Sequence, residues 1–509
     1  MKYIQGQNRN QMVLFPQTLE IAIDSENMVR AIEAFVNSLD LKQMGFTNMN
    51  VSEDGRPAYH PSDLLKLYIY GYMNRTRSSR ELEKETHRNI DVMWLIKGLK
   101  PDHNTISNFR RDNSDAIREV FKATVRTAKN MDLIGGTIIA GDSVKLRAQN
   151  SKKNNYNQEK IDRHVEYIEN KLKEHNQALE SADNENDKVK IREEINKQNE
   201  RKEKYQQLEE QLKKNDEKQI STSDPDSRQL IMRQNITEVA YNIQTTNDLK
   251  NKLILDYLTT NQNDSHALGT MVQRAALVLD KNDFTVIFDK GYHTATEIKQ
   301  CHDMQIETLI AIPAIASQAP DYRYNISYFV YNKETDTYMC PQNEILRSNG
   351  KWYESKSDRF KQYRTSACKN CKSIDLCTKS KQNGRIIQRG ESQANVEHNK
   401  QHIEKHRDIY KLRQQIVEHP YGTIKRQWGF DYTIMKRGMK RVSSDIGFIF
   451  TAYNLRRLFN ILGYQWFVSN CVCFLMVKIP YVRLKATKCE LLIFRNKRLQ
   501  KTGIEKIAA

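Results

Sequence analysis

Apolar positions along the chain change period three times. From residue 62 onward Leu64, Leu65, Leu67, Tyr68, Ile69 and Tyr70 follow Ser62 at helical spacing, which predicts helix. Ser78-Ser79-Arg80-Glu81 has the spacing of a capping box opening the next helix. After the turn at Lys100-Pro101-Asp102, Thr105 is placed to cap a short helix carrying Asn108, Arg110 and Arg111. Residues 1–130 therefore read as an all-helical domain. Its helix, turn and basic second helix fit a helix-turn-helix DNA reader, or a bundle that only packs on the rest of the chain.

The period shortens at residue 137. Residues 137–146 are β-branched and apolar up to Gly141-Asp142 and alternate afterwards, as a strand entering a sheet would. Residues 284–288 form a short apolar run that stops at Asp289 and meets a turn at Gly291. Thr294 and Glu297 then have capping-box spacing, so a helix should follow. Further runs at residues 253–255 and 308–312 supply enough strands, alternating with helices, for a mixed α/β sheet over residues 131–463.

Two insertions interrupt this region. Over residues 157–218, Ile161, Val165, Ile168, Leu172 and Leu179 follow heptad spacing, residues 181–187 are polar, and Ile191, Ile195, Tyr205, Leu208 and Leu212 resume it more weakly. That pattern predicts an antiparallel coiled-coil hairpin: a dimerisation arm, a clamp on DNA, or a solvated spacer. Residues 318–395 hold Cys340, Cys368, Cys371 and Cys377 in a polar, Tyr- and Lys-rich setting. Beyond Gly463, residues 466–477 are apolar but too short, with Ser469 and Asn470 inside, for a bilayer span. Residues 464–509 read as a basic tail of no assigned function.

Composition narrows the partner. The 509 residues carry a formal charge of +18 and a pI near 9.3, which suits a polyanion, since each Lys or Arg at a phosphate releases counterions. Met1-Lys2-Tyr3-Ile4 runs into polar sequence without the form of a signal peptide, so the chain is expected in the cytosol, where DNA is accessible.

Candidate chemistry sits at the strand ends. Asp142 and Asp289 on neighbouring strands would hold a divalent metal. Magnesium takes one or two protein carboxylates per ion, and a pair of ions about 3.5–4 Å apart serves in-line displacement at phosphorus. Glu418 is a third carboxylate; on a helix, Lys425, seven residues later, would lie within roughly 20° of its face. Pro420 between them predicts a break or a fresh helix start. In a cytosolic chain the four clustered cysteines suit tetrahedral zinc better than disulfides; the bland alternative is four reduced thiols. His398, His402 and His406 form an i, i+4, i+8 stripe, either a substitute ligand or ordinary helix polarity.

Tyr410-x2-Arg413-x4-Glu418-x6-Lys425, the Asp289-Lys-Gly-Tyr292 turn, and Arg437-Gly438 with Ala452-Tyr453-Asn454-Leu455 resemble the DDE transposases of bacterial insertion sequences that bear the tyrosine-arginine-glutamate-lysine signature. Gly55-Arg56-Pro57-Ala58-Tyr59-His60-Pro61 and residues 102–111 are similar to that group's helical domain, so the resemblance covers most of residues 10–463. One departure is the four residues, not three, between Arg413 and Glu418. The resemblance implies a ribonuclease-H-like fold with Asp142, Asp289 and Glu418 as catalytic triad and metal ligands. It further implies Tyr410, Arg413 and Lys425 on DNA phosphates, and magnesium or manganese as cofactor. The implied partner is double-stranded DNA, both terminal inverted repeats and target, bound by a homodimer on paired ends in the bacterial nucleoid. A catalytically inactive DNA-binding relic and a nuclease that cuts without joining are the competing readings.

Overall fold

The computed structural model describes residues 18–49, 57–214, 217–232, 236–314, 319–354, 358–380, 382–435 and 437–477. Gly55 and Arg56 of the first motif, the N-terminal residues 1–17 and the tail beyond 477 lie outside the described residues.

The N-terminal region is helical: α1 (Leu19–Ala22), α2 (Met28–Asn37), α3 (Pro61–Met73), α4 (Ser79–Arg88), α5 (Ile90–Leu95), α6 (His103–Asp112) and α7 (Ser114–Asn130). Local chemistry starts them differently from the sequence expectation. The cap of α6 is Asp102, whose Oδ1 accepts from the Asn104 and Thr105 N–H groups, while Thr105 only donates its hydroxyl to Asp102 Oδ2. Ser78 occupies the N-cap position of α4 but makes no side-chain cap bond, and the Glu81 carboxylate pairs with Lys84 and Arg88 and not with the Ser78 N–H.

From β1 (Ile138–Arg147) the chain passes through β2 (Asn155–Tyr156), a hairpin of α8 (Gln158–Glu180) and α9 (Glu185–Lys214), and β3 (Ile220–Ser221), which pairs with β2 at the hairpin's base. Ile161, Leu212 and Ile220 are buried there with Tyr156, Val165, Tyr205 and Leu208 against them, while most of the remaining length is solvent-exposed. Then follow β4 (Arg228–Ile231), β5 (Thr237–Asp248), β6 (Ile254–Thr260), α10 (Leu268–Leu279), β7 (Thr285–Phe288), α11 (Ala295–Asp303) and β8 (Glu307–Ile310). These strands form one sheet in the order β4-β5-β1-β7-β8, with β6 also pairing β5. β5 runs antiparallel to β1, β4 and β6, whereas β1, β7 and β8 are mutually parallel.

β5 was not marked by any apolar run. Asn242, Gln244, Thr245, Thr246, Asn247 and Asp248 within it are all buried. Several are satisfied locally, as burial requires: Asn242 Nδ2 and Gln244 Nε2 donate to Asp264 Oδ1 at 2.8 and 2.7 Å, and the Gly135 and Gly136 N–H groups donate to the Asp248 carboxylate.

The cysteine-bearing insertion is a second, antiparallel sheet of β9 (Val330–Asn332), β10 (Thr337–Met339), β11 (Ile345–Glu354), β12 (Arg359–Arg364) and, after α12 (Ile374–Cys377), β13 (Ile387–Gly390). It has its own core of Tyr324, Phe329, Tyr338, Leu346, Tyr363, Cys377 and Ile387. The chain returns to the main sheet through α13 (Gln393–Lys405) and α14 (Arg407–Tyr421), then α15 (Met439–Leu462) and α16 (Tyr464–Val477). Apolar residues 466–477 are thus helix, and Phe467 and Cys471 are buried in the main core that also takes in α2. Among the described residues no helix is long and apolar enough to cross a membrane.

α15 joins the two halves. Its Asp445 is fully buried, accepts from the Tyr72 hydroxyl and the Ile434 N–H, and lies 3.5 Å from Arg77 Nη1. Arg110, expected on DNA, belongs to this network instead: it is 5% exposed and its Nη1 donates to Tyr72 Oη at 2.9 Å and Arg77 O at 3.2 Å. The correction has a simple cause, since Ile106, Phe109 and Arg110 share the inward face of α6 while Asn108 and Arg111 face solvent, Arg111 paired with Asp112.

Close packing under the sheet fixes one glycine. A Cβ on Gly141 would overlap the Phe288 ring of the neighbouring strand. Gly141→Ala is expected to lower unfolding free energy by about 1–3 kcal/mol through forced overpacking, measured by urea denaturation; an unchanged midpoint would show that β1 and β7 separate freely.

Candidate active site

Parallel pairing of β1 with β7 places Ala140 opposite Ile287, so the two strands deliver Asp142 and Asp289 to the same end of the sheet. Asp289 directly follows β7 and caps a short turn, its Oδ1 accepting from the Gly291 N–H at 2.7 Å. Asp142 accepts from the Ser143 N–H at 2.8 Å, and its backbone carbonyl accepts from the Tyr421 hydroxyl. The helix expected after Asp289 is α11; Thr294 occupies its N-cap position, but its hydroxyl donates to Ser265 O, and Glu297 accepts from the Gly269 N–H, so the reciprocal capping bonds are not made.

Helix α14 lies across this sheet. Ile416 and Val417 pack on Ala140, with Ile138, Leu249 and Leu412 beside them; a small residue at 140 lets the helix approach. Arg413 consequently reaches both aspartates, its Nη2 lying 3.3 Å from Asp142 Oδ2 and 3.9 Å from Asp289 Oδ2. Glu418, solvent-exposed and accepting from Gln414 Nε2 at 2.9 Å, lines a cavity of about 550 Å³ together with Asp142, Lys145, Tyr421 and Lys425. Glu418 lies five positions after Arg413, roughly 140° around the helix, so the two flank the aspartates from different sides.

Pro420 does not end the helix. α14 continues through it, and Gly422 to Gln427 form a π-helical turn. Pro420 leaves the Ile416 carbonyl without its i→i−4 donor, yet the Gly422 N–H resumes the ladder at Glu418 O. Lys425 still lines the Glu418 cavity, with its Nζ 3.4 Å from Lys145 O. Tyr410 is half-buried; burial raises its phenol pKa, Arg413 opposes the shift, and Asp289 and Asp142 add to it.

Burial raises the Asp142 carboxyl to about 6 from 3.8; Arg413 and the Ser143 N–H oppose the shift, while Asp289 and Asp264 add to it. The folded chain therefore holds this proton more tightly than the unfolded chain between about pH 4 and pH 6, and stability falls as pH rises through that window. Asp142→Asn is expected to be more stable than the parent above pH 6 by about 3 kcal/mol, and no more stable near pH 4. Thermal melts in chelator at both pH values test this, and equal differences at the two would remove the burial argument.

Asp264 and Tyr421 are the neighbours that sequence reasoning passed over. Asp264 sits in a polar stretch with no apolar run to mark it, and Tyr421 is half-buried with its hydroxyl between the Asp142 carbonyl and Thr245, 2.6 Å from Thr245 Oγ1.

The four cysteines lie in one neighbourhood, although no three of their sulfurs are within 4.8 Å of one another. Burial pushes the Cys377 thiol up to about 11, Arg385 opposes this, and Cys368, Cys340 and Cys371 are all near enough to add to it. The Gln342 N–H points at Cys340 Sγ over 3.4 Å, and Gly384, at φ +66°, leaves room for Cys368 where any Cβ would collide.

Two family models match parts of the chain. Residues 17–112 match the family described as Transposase domain (DUF772), and residues 339–459 match Transposase DDE domain. The second match includes Tyr410, Arg413, Glu418 and Lys425 but begins after Asp142 and Asp289. No curated protein matches the chain. A cryo-EM structure of a piggyBac transposase synaptic complex with hairpin DNA aligns over 92% of this chain and 86% of that one at 8% identity. Its TM-score of 0.30 is too low to carry an argument.

Proposed function

We propose that the chain is a DDE transposase that binds the terminal inverted repeats of its own element and catalyses metal-dependent strand cleavage and strand transfer, a reading its two transposase-domain matches support. The observation that carries this reading is the convergence of Asp142 and Asp289 under one guanidinium, with Glu418 in the adjoining cavity. We read the sheet as ribonuclease-H-like, on its three antiparallel strands β6-β5-β1 continued by parallel β7 and β8.

The donor set fits a hard cation. Arg413 Nη2 already stands as a positive group between two carboxylates, and all three acids offer oxygens only. Asp142 and Asp289 would hold magnesium or manganese, with Glu418 completing the set. Such ions activate an attacking oxygen and offset charge on the leaving one in displacement at phosphorus. Arg413 keeps the aspartates paired until a DNA phosphate draws its guanidinium away. Tyr410 and Lys425 border the same space and position the strand. Because both ends must be cut in concert, the active form is a homodimer on paired ends. The thiol cluster of Cys340, Cys368, Cys371 and Cys377 holds a structural zinc, for which soft sulfur donors are suited.

The test is incubation of the protein with DNA carrying the element's ends, with magnesium, with manganese and with chelator. Cutting followed by joining supports a transposase; cutting alone supports the nuclease reading; binding without cutting in either metal supports a relic. Replacing Lys425 by Ala is expected to weaken end binding and reduce the salt-dependence slope by about one. An unchanged slope in a titration from low to high salt would place Lys425 away from the backbone.

A further inference from the structure

A second group of metal-competent side chains lies away from the carboxylates. His398 and His402 stand one turn apart on α13, and one donor atom from each, with one from Glu307 at the start of β8, lies within 4.8 Å of the others. His402 Nδ1 is 3.2 Å from Glu307 Oε2 yet buried without an aligned hydrogen bond. His302, from α11, packs edge-on to His398 with ring centroids 4.7 Å apart, and its Nε2 is also buried without a partner. His406 extends the ring stack on the other side, 5.0 Å from His402. Buried imidazole nitrogens in native proteins are normally satisfied; within the three-residue group, His402 Nδ1 faces the Glu307 carboxylate over 3.2 Å without an aligned hydrogen bond, the kind of donor pair a bound cation would satisfy.

We propose that Glu307, His398 and His402 form a binding site for a divalent transition metal of the zinc, cobalt and nickel class, which clamps α13 to β8. Two histidines at i and i+4 present both rings on one helical face, the spacing that lets a helix chelate zinc, and a single carboxylate with two imidazoles is an established three-ligand set. Magnesium and calcium prefer oxygen donors, so this site and the Asp142 cluster select different ions.

The position gives the clamp its consequence. Glu307 pairs with Thr285 at the start of β7, whereas Asp289 follows the end of that strand, about 13 Å further along at 3.3 Å per residue. The metal therefore acts on architecture and not on the reacting phosphate. Asn399, between the two histidines, already pins α13 by donating to Ile310 O and accepting from Ile310 N, both at 2.9 Å. Metal at Glu307 would fix the same helix at the other end of the strand. Since α13 leads directly into α14, the clamp holds the helix that carries Arg413 and Glu418.

The site does not depend on the transposase reading and is tested by binding alone. The full-length protein, stripped with chelator and kept in excess magnesium, is titrated with cobalt(II) while absorption and thermal midpoint are recorded. A His-carboxylate site adds a cobalt without thiolate charge-transfer absorption, which separates it from the cysteine cluster. His402→Gln and the more exposed Glu307→Gln should each weaken that non-thiolate binding at least tenfold and abolish its share of the thermal shift. If the thiolate-linked cobalt is the only one bound by the parent, or if Glu307→Gln folds normally and binds cobalt as the parent does, the proposal fails. Should His402→Gln not fold, Glu307→Gln carries the test.

Discussion

Glu418→Gln is expected to bind element ends as the parent does and to lose cleavage and joining by at least about 10³-fold, equivalent to roughly 4 kcal/mol of transition-state stabilisation. The substitution is isosteric, the side chain is exposed, and a Gln oxygen can still accept from Gln414, so the fold should not change. What is removed is one negative charge beside the cavity shared with Asp142, and with it the third oxygen donor for a divalent ion. Gel-shift binding and magnesium-dependent cleavage on the same DNA measure the two effects separately. Full cleavage by the variant would dismiss Glu418 from the set and direct attention to Asp264, the other carboxylate close enough to raise Asp142.

The second large effect concerns stability. Asp445→Ala would leave Arg77 and Arg110, 5% exposed each, facing the Tyr72 hydroxyl without a carboxylate. Removing one partner from a buried ionic network typically costs about 3–5 kcal/mol. Because Tyr72 and Arg110 come from the N-terminal helices and Asp445 from α15, the loss should appear as weakened attachment of these two parts. Chemical denaturation followed by limited proteolysis near residue 130 would detect both. A change below about 1 kcal/mol would mean that Arg77, held also by Tyr432 O and the Phe430 ring, needs no carboxylate.

Strands announced by β-branched runs were legible: residues 137–146 became β1, residues 284–288 became β7, and both candidate aspartates follow from them. β5 was not legible, since its buried face is amide and hydroxyl and no apolar period marks it. The second sheet escaped for a related reason: its small core mixes Tyr324, Tyr338 and Tyr363 with scattered apolar residues, so its strands read as polar insertion. Arg110 illustrates the limit of charge reading, because a guanidinium stacked on Tyr68 and bonded to Tyr72 looks identical in sequence to one facing DNA. The meeting of Arg413 with the aspartates needed the docking of α14, set by Ile416 and Val417 against Ala140 over some 270 residues of separation. The π turn after Pro420 was announced only as a disruption, without its form.

The amide of Asn399 has one more effect. β8 is the last strand of its sheet, and a last strand offers unpaired backbone groups to any other chain that can lie beside it. By occupying both the N–H and the carbonyl of Ile310, Asn399 substitutes for a further strand at the point where a foreign one would begin to pair. Helix α13 therefore closes the edge of β8 at Ile310, and loosening of α13 would return that N–H and carbonyl to solvent as open strand edge.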